Sequence, residues 1–267
     1  MNWRLIEQKE YSAAMNMAID HAIYESVANG RENPTIRFYK WINSSVSIGA
    51  YQNPKEINLD VCKKNNVDVV RRMTGGRAVY HDKDDFTYSV IAPIRIFNYS
   101  IENAYREICS HIIITLSELG IKAAIENKND IIVNRKKISG NAAKAMDKGV
   151  YLQHGTLIYD IDFIIMPEVL NISKEILNER ATSILQHKKL SQKEVHEALR
   201  NNFIKDKEIK EDGISEYELL RAEDLAKTKY SSLVLPAGTL LKNKGACYVE
   251  MGDYSGIKTA NPKLFKY

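Results

Sequence analysis

Residues 11–29, YSAAMNMAIDHAIYESVAN, place Met15, Ala18, Ile19, Ala22, Ile23 and Val27 three and four positions apart, the spacing of one helical face. Ser12 stands where an N-cap is needed, and Gly30 supplies the stop. A run of short β-branched and aromatic segments follows: TIRFYKW, SVSIGAY, VDVVRR, RAVYH and DFTYSVIA. Between them EINLDVCKKNN reads as a short helix. In residues 101–119, IENAYREICSHIIITLSEL, the side chains of Tyr105, Ile108, Cys109, Ile112, Leu116 and Leu119 form one stripe, with Gly120 at C′. A second β region comprises DIIVN, a turn at Lys136-Lys137, ISGNAAK and VYLQHGTLIYDID. Residues 167–203 read as helical, most strongly in SQKEVHEALRNNF, and 215–229 as a last helix.

Strands in succession, joined by turns and flanked by helices, predict an α+β fold with mixed or antiparallel sheets rather than a doubly wound one. Past Tyr230 the texture changes to turn-rich sequence with a few short β-like pieces. The expected organisation is a domain over residues 1–230 and an extension over 231–267, with no internal repeat.

Of the 267 residues, 44% are hydrophobic and 27% charged, the mixture of a globular protein with a substantial core. No run reaches the ~18 apolar residues of a membrane span, so no membrane partner is expected. The start, MNWRLIEQKEYS, is charged throughout and lacks a signal-peptide core, which predicts a cytoplasmic protein. A net charge of +4 with both signs interspersed gives no nucleic-acid footprint, but suits small anions or an acidic protein partner. Cys62, Cys109 and Cys247 lie far apart, without the spacing of a disulfide framework or zinc site.

Two stretches concentrate chemistry. RRMTGGRAVYHD (residues 71–82) reads as strand, Gly-Gly turn and returning strand. The same glycines can expose backbone N–H groups to an anion, with arginines and His81 beside them. NDIIVNRKKISGNAAK, followed by GVYLQHGTLIYDID, again joins a glycine-containing turn to basic residues and a histidine. Together they suit a phosphate-bearing or adenylated carboxylic acid.

The MNMAID helix, RR-x-TGG-x-AVYHD, ND…KKISGNA and QHGTL-x-x-D-x-D occur in one order over some 150 residues. In these the chain resembles the lipoate-protein ligase A and octanoyltransferase family, relatives of biotin protein ligase. The resemblance implies a biotin/lipoate ligase catalytic-domain-like fold. It also implies Lys137 as the catalytic lysine at the acyl carbonyl and phosphate. Arg71, Gly75, Gly76, Arg77 and His81 match the loop around the acyl-adenylate. Asn129 and Asp130 match the pair facing the nucleotide, with Asp130 as a Mg2+ ligand. His154 and Gly155 match the strand lining the acyl chain, although a hydrogen-bonded core histidine is an alternative reading of His154.

The same resemblance offers two chemistries. A ligase activates lipoic acid with ATP and Mg2+ to lipoyl-AMP, then acylates a lysine of a carrier domain, either a 2-oxoacid dehydrogenase E2 or glycine-cleavage H-protein. An octanoyltransferase takes octanoate from acyl carrier protein through a cysteine thioester. The intervals where the family's transferases carry that cysteine read GIKAAIENKNDIIVN and FIIMPEVLNISKEIL, without one. Cys109 lies on a core stripe, Cys62 has no family role, and Cys247 lies in the extension. This favours the ligase. Gly75-Gly76-Arg77 followed by TYSV points toward the transferases, since ligases commonly carry three glycines there. The extension is too short for the accessory domain that assists adenylation, so a separate accessory subunit is expected. A non-catalytic paralogue that binds lipoyl domains, or biotin as substrate, stand behind these readings.

Overall fold

The protein is described by a computed structural model that covers residues 2–127, 129–145 and 149–231. Cys247 and the strands expected after Tyr230 lie outside the described residues.

Eleven strands and eight α-helices are found among the described residues. In chain order they are β1 (Asn2–Tyr11), α1 (Ala13–Ala28), β2 (Thr35–Trp41), β3 (Ser45–Ile48), α2 (Leu59–Lys64), β4 (Asp68–Arg71), β5 (Val79–His81) and β6 (Phe86–Pro93). There follow α3 (Ile101–Glu118), β7 (Ala124–Glu126), β8 (Asp130–Val133), β9 (Lys136–Ala145) and β10 (Val150–Leu157). The last are α4 (Ile165–Val169), α5 (Lys174–Arg180), α6 (Ile184–His187), α7 (Gln192–Ile204), β11 (Glu208–Glu211) and α8 (Glu216–Leu225). Eight strands form a mixed sheet in the order β11-β1-β2-β6-β10-β9-β8-β7, and three form a small sheet, β4-β3-β5. The expected α+β class is what the chain adopts.

Period-two alternation decides which side chains reach the site. On β6, Phe86, Tyr88, Val90 and Ala92 join the core under α3 and α7, which includes Ile108, Ile112, Val195 and Leu199. Their neighbours Thr87 and Ser89 are therefore sent to the other face of the sheet. Ile91 on that face packs with Ala18, Ile19, Ala22 and Ile23 of α1 and with Ala222 and Leu225 of α8. Likewise β10 turns Tyr151 and Leu157 to the first core and Val150 and Leu152 to the second, leaving His154 and Thr156 on the α1 side. A third core, with Val46, Ile48, Cys62 and Val169, joins the small sheet to α2 and α4.

Local signals set most helix ends. The Ser12 hydroxyl accepts from the Met15 N–H, and Gly30 follows α1 with φ +68°. Ser100 caps α3 by accepting from Asn103, and Gly120 beyond it has φ +83°. Ser191 and Glu194 form a reciprocal capping box on α7.

Four expectations change. The opening strand β1, unread in the sequence, pairs in parallel with β2 and with the distant β11. Residues 167–203 are divided among the end of α4, α5, α6 and most of α7, with extended breaks at Ala181 and Lys188. The turn expected at Lys136-Lys137 falls at Asn134-Arg135, whose φ values are +50° and +64°, so Lys137 lies on β9. VDVVRR and RAVYH are not the two arms of a hairpin: β4 pairs in parallel and β5 antiparallel with β3, which lies between them. The intervening segment is a loop, and an arginine organises it.

Candidate active site

An open cleft lies between the α1 face of the large sheet and the small sheet. Its wall includes Met17, Trp41, Ser47, Arg72, Gly75, Gly76, Arg77 and His81 on one side. Thr87, Asn129, Lys137, Asn141, His154, Gly155 and Thr156 complete it. Most motif residues singled out in the sequence therefore converge here, from β5, β9 and β10 and from the loops that precede β5 and β8.

Arg71 does not. Its Nη1 donates to the carbonyls of Gly49 (2.9 Å), Ala50 (3.2 Å) and Gln52 (2.8 Å), and the side chain lies away from the cleft, buttressing the loop after β3. The adjacent Arg72 occupies the wall. Arg72 donates to the Ser47 carbonyl (2.7 Å), the Gly75 carbonyl (2.5 Å) and the Arg77 carbonyl (2.9 Å). Three carbonyls gathered by one buried guanidinium hold the glycine loop open, where a hairpin would pair them across strands. Close backbone approach fixes the loop on its other side, since a Cβ on Gly49 would stand 1.9 Å from the Gly76 oxygen. Gly76 has φ +93°, a conformation glycine tolerates without strain. Arg77 is exposed at the mouth.

Two histidines form the floor. The ring of His81 stacks on Trp41 at 4.4 Å between centroids. Its Nε2 lies 2.8 Å from the Ser47 hydroxyl and its Nδ1 2.9 Å from the Thr156 hydroxyl. Burial, reinforced by the Arg72 charge and His154, pushes His81 well below the ordinary histidine value. His154 Nε2 lies 2.7 Å from the Thr74 hydroxyl and its Nδ1 3.4 Å from Asp20. Burial lowers His154 too, against the opposing pull of Asp20. Both rings are thus neutral at physiological pH.

That neutrality has a pH signature. Unfolded histidines titrate near 6.5, so below this the unfolded chain takes up protons that the folded rings refuse. Stability is therefore expected to fall as the pH drops through 6.5, by about 1.4 kcal/mol per pH unit for each ring that stays neutral. Urea melts at pH 7.5 and 5.5 should show a shallower loss in His81→Asn than in the unaltered protein.

At the cleft mouth Lys137 Nζ is 2.6 Å from the Asp130 carboxylate. Gly140 makes room for this lysine, since a Cβ there would meet Lys137 Cε at 2.6 Å and Nζ at 2.8 Å. The Lys137 carbonyl accepts from the Thr182 N–H at 2.9 Å, tying β9 to the segment after α5. Asn141 and Asn129 clasp one another, each side-chain amide donating to the other's carbonyl (2.9 and 3.0 Å). The Asn141 side-chain oxygen also accepts from the Tyr88 hydroxyl. Gly155 permits that contact, because a Cβ there would lie 2.1 Å from the Asn141 oxygen.

Among the described residues no three imidazole, thiol or carboxylate groups converge, and the Asp130 carboxylate is already paired with Lys137. Neither described cysteine faces the cleft. Cys109 lies on the buried face of α3, 3.6 Å from the Gln153 amide, and burial pushes its thiol up to about 12. Cys62 is sealed in the third core and raised by burial as well.

The lipoyl protein ligase A/B catalytic-domain family matches residues 12–204. The chain belongs to that family. Octanoyltransferase LipM of Clostridioides difficile is 37% identical over 201 residues, covering 67% of this chain and 73% of that protein. Octanoyltransferase LipM of Halalkalibacterium halodurans is 33% identical over 271 residues, covering 86% and 96%. Among solved structures, a lipoate-protein ligase A bound with ATP superposes with TM-score 0.77 at 32% identity, covering 87% of this chain and 97% of that one. The archaeal bipartite lipoate protein ligase of Thermoplasma acidophilum, solved in work on its E2 lipoyl domain, gives 0.75 at 31% identity, covering 87% and 94%. The fold is that of these ligases, and the chain is an enzyme of the lipoylation family. Among the described residues no helix is long and apolar enough to cross a membrane.

Sequence reasoning missed Arg72, Ser47, Trp41 and Thr156 in the cleft, and Thr74 and Asp20 behind it. No local signal marks Asp20, whose partners Arg37, Ser89 and His154 come from three separate strands.

Proposed function

We propose that this chain transfers an octanoyl group from the thioester of acyl carrier protein to the lysine of a lipoyl carrier domain. The observation carrying this reading is the run of relatives named octanoyltransferase LipM, one of which shares 33% identity over nearly its whole length. The TGGRAV sequence supports it, with Arg77 where ligases commonly have a third glycine. In the reaction the acceptor amine attacks the acyl carbonyl, a C–N bond forms, the C–S bond breaks, and the amine proton passes to the departing thiolate of the acyl carrier, which leaves as a free thiol. Lys137 donates to the carbonyl oxygen as charge develops on it. Asn129 and the N–H groups of Gly75 and Gly76 line the space for the donor's head group. Arg77 meets its phosphate at the mouth. Arg71 takes no part beyond supporting the loop.

A second reading, ATP-dependent lipoate ligation, is favoured by one observation. The family's transferases use a cysteine, and both described thiols are sealed away from the cleft. In that reading the same loop takes lipoyl-AMP, and a separate accessory subunit assists adenylation.

Intact-mass spectrometry of a lipoyl domain or H-protein separates them. An octanoyl gain with octanoyl-acyl carrier protein alone supports the transferase. A lipoyl gain with lipoate and MgATP makes the chain a complete ligase, and a gain only with synthetic lipoyl-AMP makes it a transfer subunit awaiting an adenylating partner. No gain from any donor rejects both.

A further inference from the structure

Behind the cleft, α1 delivers a buried carboxylate that does not itself line the cavity. Asp20 Oδ1 accepts from Arg37 at 2.6 Å and from the Ser89 hydroxyl at 2.9 Å; its Oδ2 accepts from the Tyr39 hydroxyl at 3.2 Å. Burial works against the charge of Asp20, but Arg37 and His154 outweigh it and hold the carboxyl below its ordinary value. An ionised carboxylate only accepts hydrogen bonds, which fixes one end of a chain.

The other end is fixed by Arg72, which only donates. Its Nε lies 3.1 Å from the Thr74 hydroxyl oxygen, which must accept. The single Thr74 proton is then free for His154 Nε2, 2.7 Å away. Nε2 must accept, so the ring proton resides on Nδ1 and points at Asp20, 3.4 Å away. Between a pure donor and a pure acceptor, one arrangement of protons satisfies every group.

We infer that Asp20 is a positioning residue: through the His154 ring and the Thr74 hydroxyl it orients Arg72, and Arg72 shapes the Gly75-Gly76 loop that receives the acyl donor. The inference rests on the acyl-transfer reading only for what the loop receives. Asp20 therefore acts from two residues away, and its effect falls on recognition of the donor.

The experiment combines spectroscopy and kinetics on the full chain. In 15N-histidine-labelled protein, with His154 assigned by its missing signals in His154→Gln, the proton is expected on Nδ1, and Thr74→Val should shift the bare Nε2 resonance. Asp20→Asn is expected to move the proton toward Nε2. Because that change leaves Arg37 buried without its carboxylate, Thr74→Val carries the test where Asp20→Asn does not fold. Thr74→Val should raise KM for the acyl donor by about tenfold, the scale of one buried hydrogen bond. KM for the acceptor domain should stay unchanged, and Thr74→Ser should restore the donor KM. A merely structural loss would lower the active fraction, hence kcat, and leave both KM values alone. A His154 proton on Nε2 in the unaltered protein, or an unchanged donor KM in Thr74→Val, overturns the inference. Inactivity of the unaltered protein with every donor rejects the proposed function instead, while the His154 resonances still decide the proton arrangement.

Discussion

Replacing Lys137 with alanine is expected to lower acyl transfer by about 10²–10³-fold, the usual cost of removing a donor aimed at a developing oxyanion. The fold should not notice. The Lys137–Asp130 pair is partly exposed, at 38% and 26%, and such pairs contribute about 0–1 kcal/mol. Single-turnover acylation of a carrier domain, followed by intact mass, measures the loss, and a thermal melt checks the fold. A graded version comes from Gly140→Ala. The new methyl would collide with the far end of the lysine rather than with backbone, so the lysine shifts while β9 stays. Activity about tenfold below the unaltered protein is expected for this variant, because misplacement by an ångström already erodes catalysis. Undiminished transfer by Lys137→Ala would remove the lysine from the mechanism.

Glu218→Ala is expected to cost about 3 kcal/mol of stability, the lower end of the scale for breaking a buried ion pair, since Arg4 keeps the partly exposed Glu32 at 3.5 Å. Arg4 is 3% exposed and Glu218 0%, and they meet in a fork of two bonds at 2.8 and 2.7 Å. Glu218 also accepts from the Ser215 N–H at 2.9 Å, so the same change removes one of the two bonds of the α8 capping box. The double variant Arg4→Met/Glu218→Leu should recover most of the loss, because no charge is then left buried. Burial pushes the Glu218 carboxyl up, but Arg4 and Ser215 together hold it below its ordinary 4.5. Its contribution is therefore full above pH 4.5 and disappears as the pH falls through the folded-state value. Urea melts at pH 7 and 4 read both effects. Activity should follow only the folded fraction, since α8 reaches the cleft solely by seating α1. Arg221 of α8 grips Glu25 of α1 at 2.7 and 3.0 Å.

Local chemistry in the sequence determined a good part of this protein. Apolar spacing marked α1, α3 and α7, serines and glycines marked their ends, and alternation marked β2, β6 and β10. The glycine-bearing motifs named Gly75, Gly76, Arg77, His81, Asn129, Lys137, His154 and Gly155, all of which line one cleft. These are properties of short windows, where side-chain spacing and backbone freedom act directly. Tertiary structure decided what windows cannot contain. Arg71 and Arg72 are adjacent and chemically alike, yet only Arg72 reaches the cleft, because β3 inserts between β4 and β5 and opens the glycine loop toward one face. The N-terminal strand gained its partner β11 from some two hundred residues away, a pairing with no local trace. Asp20 looks like the polar side of an amphipathic helix until Arg37, Ser89 and His154 arrive from three different strands to surround it. A carboxylate on an isolated helix is at ease in water. Only the packed sheet removes that water, and with it every partner except the ones the fold provides.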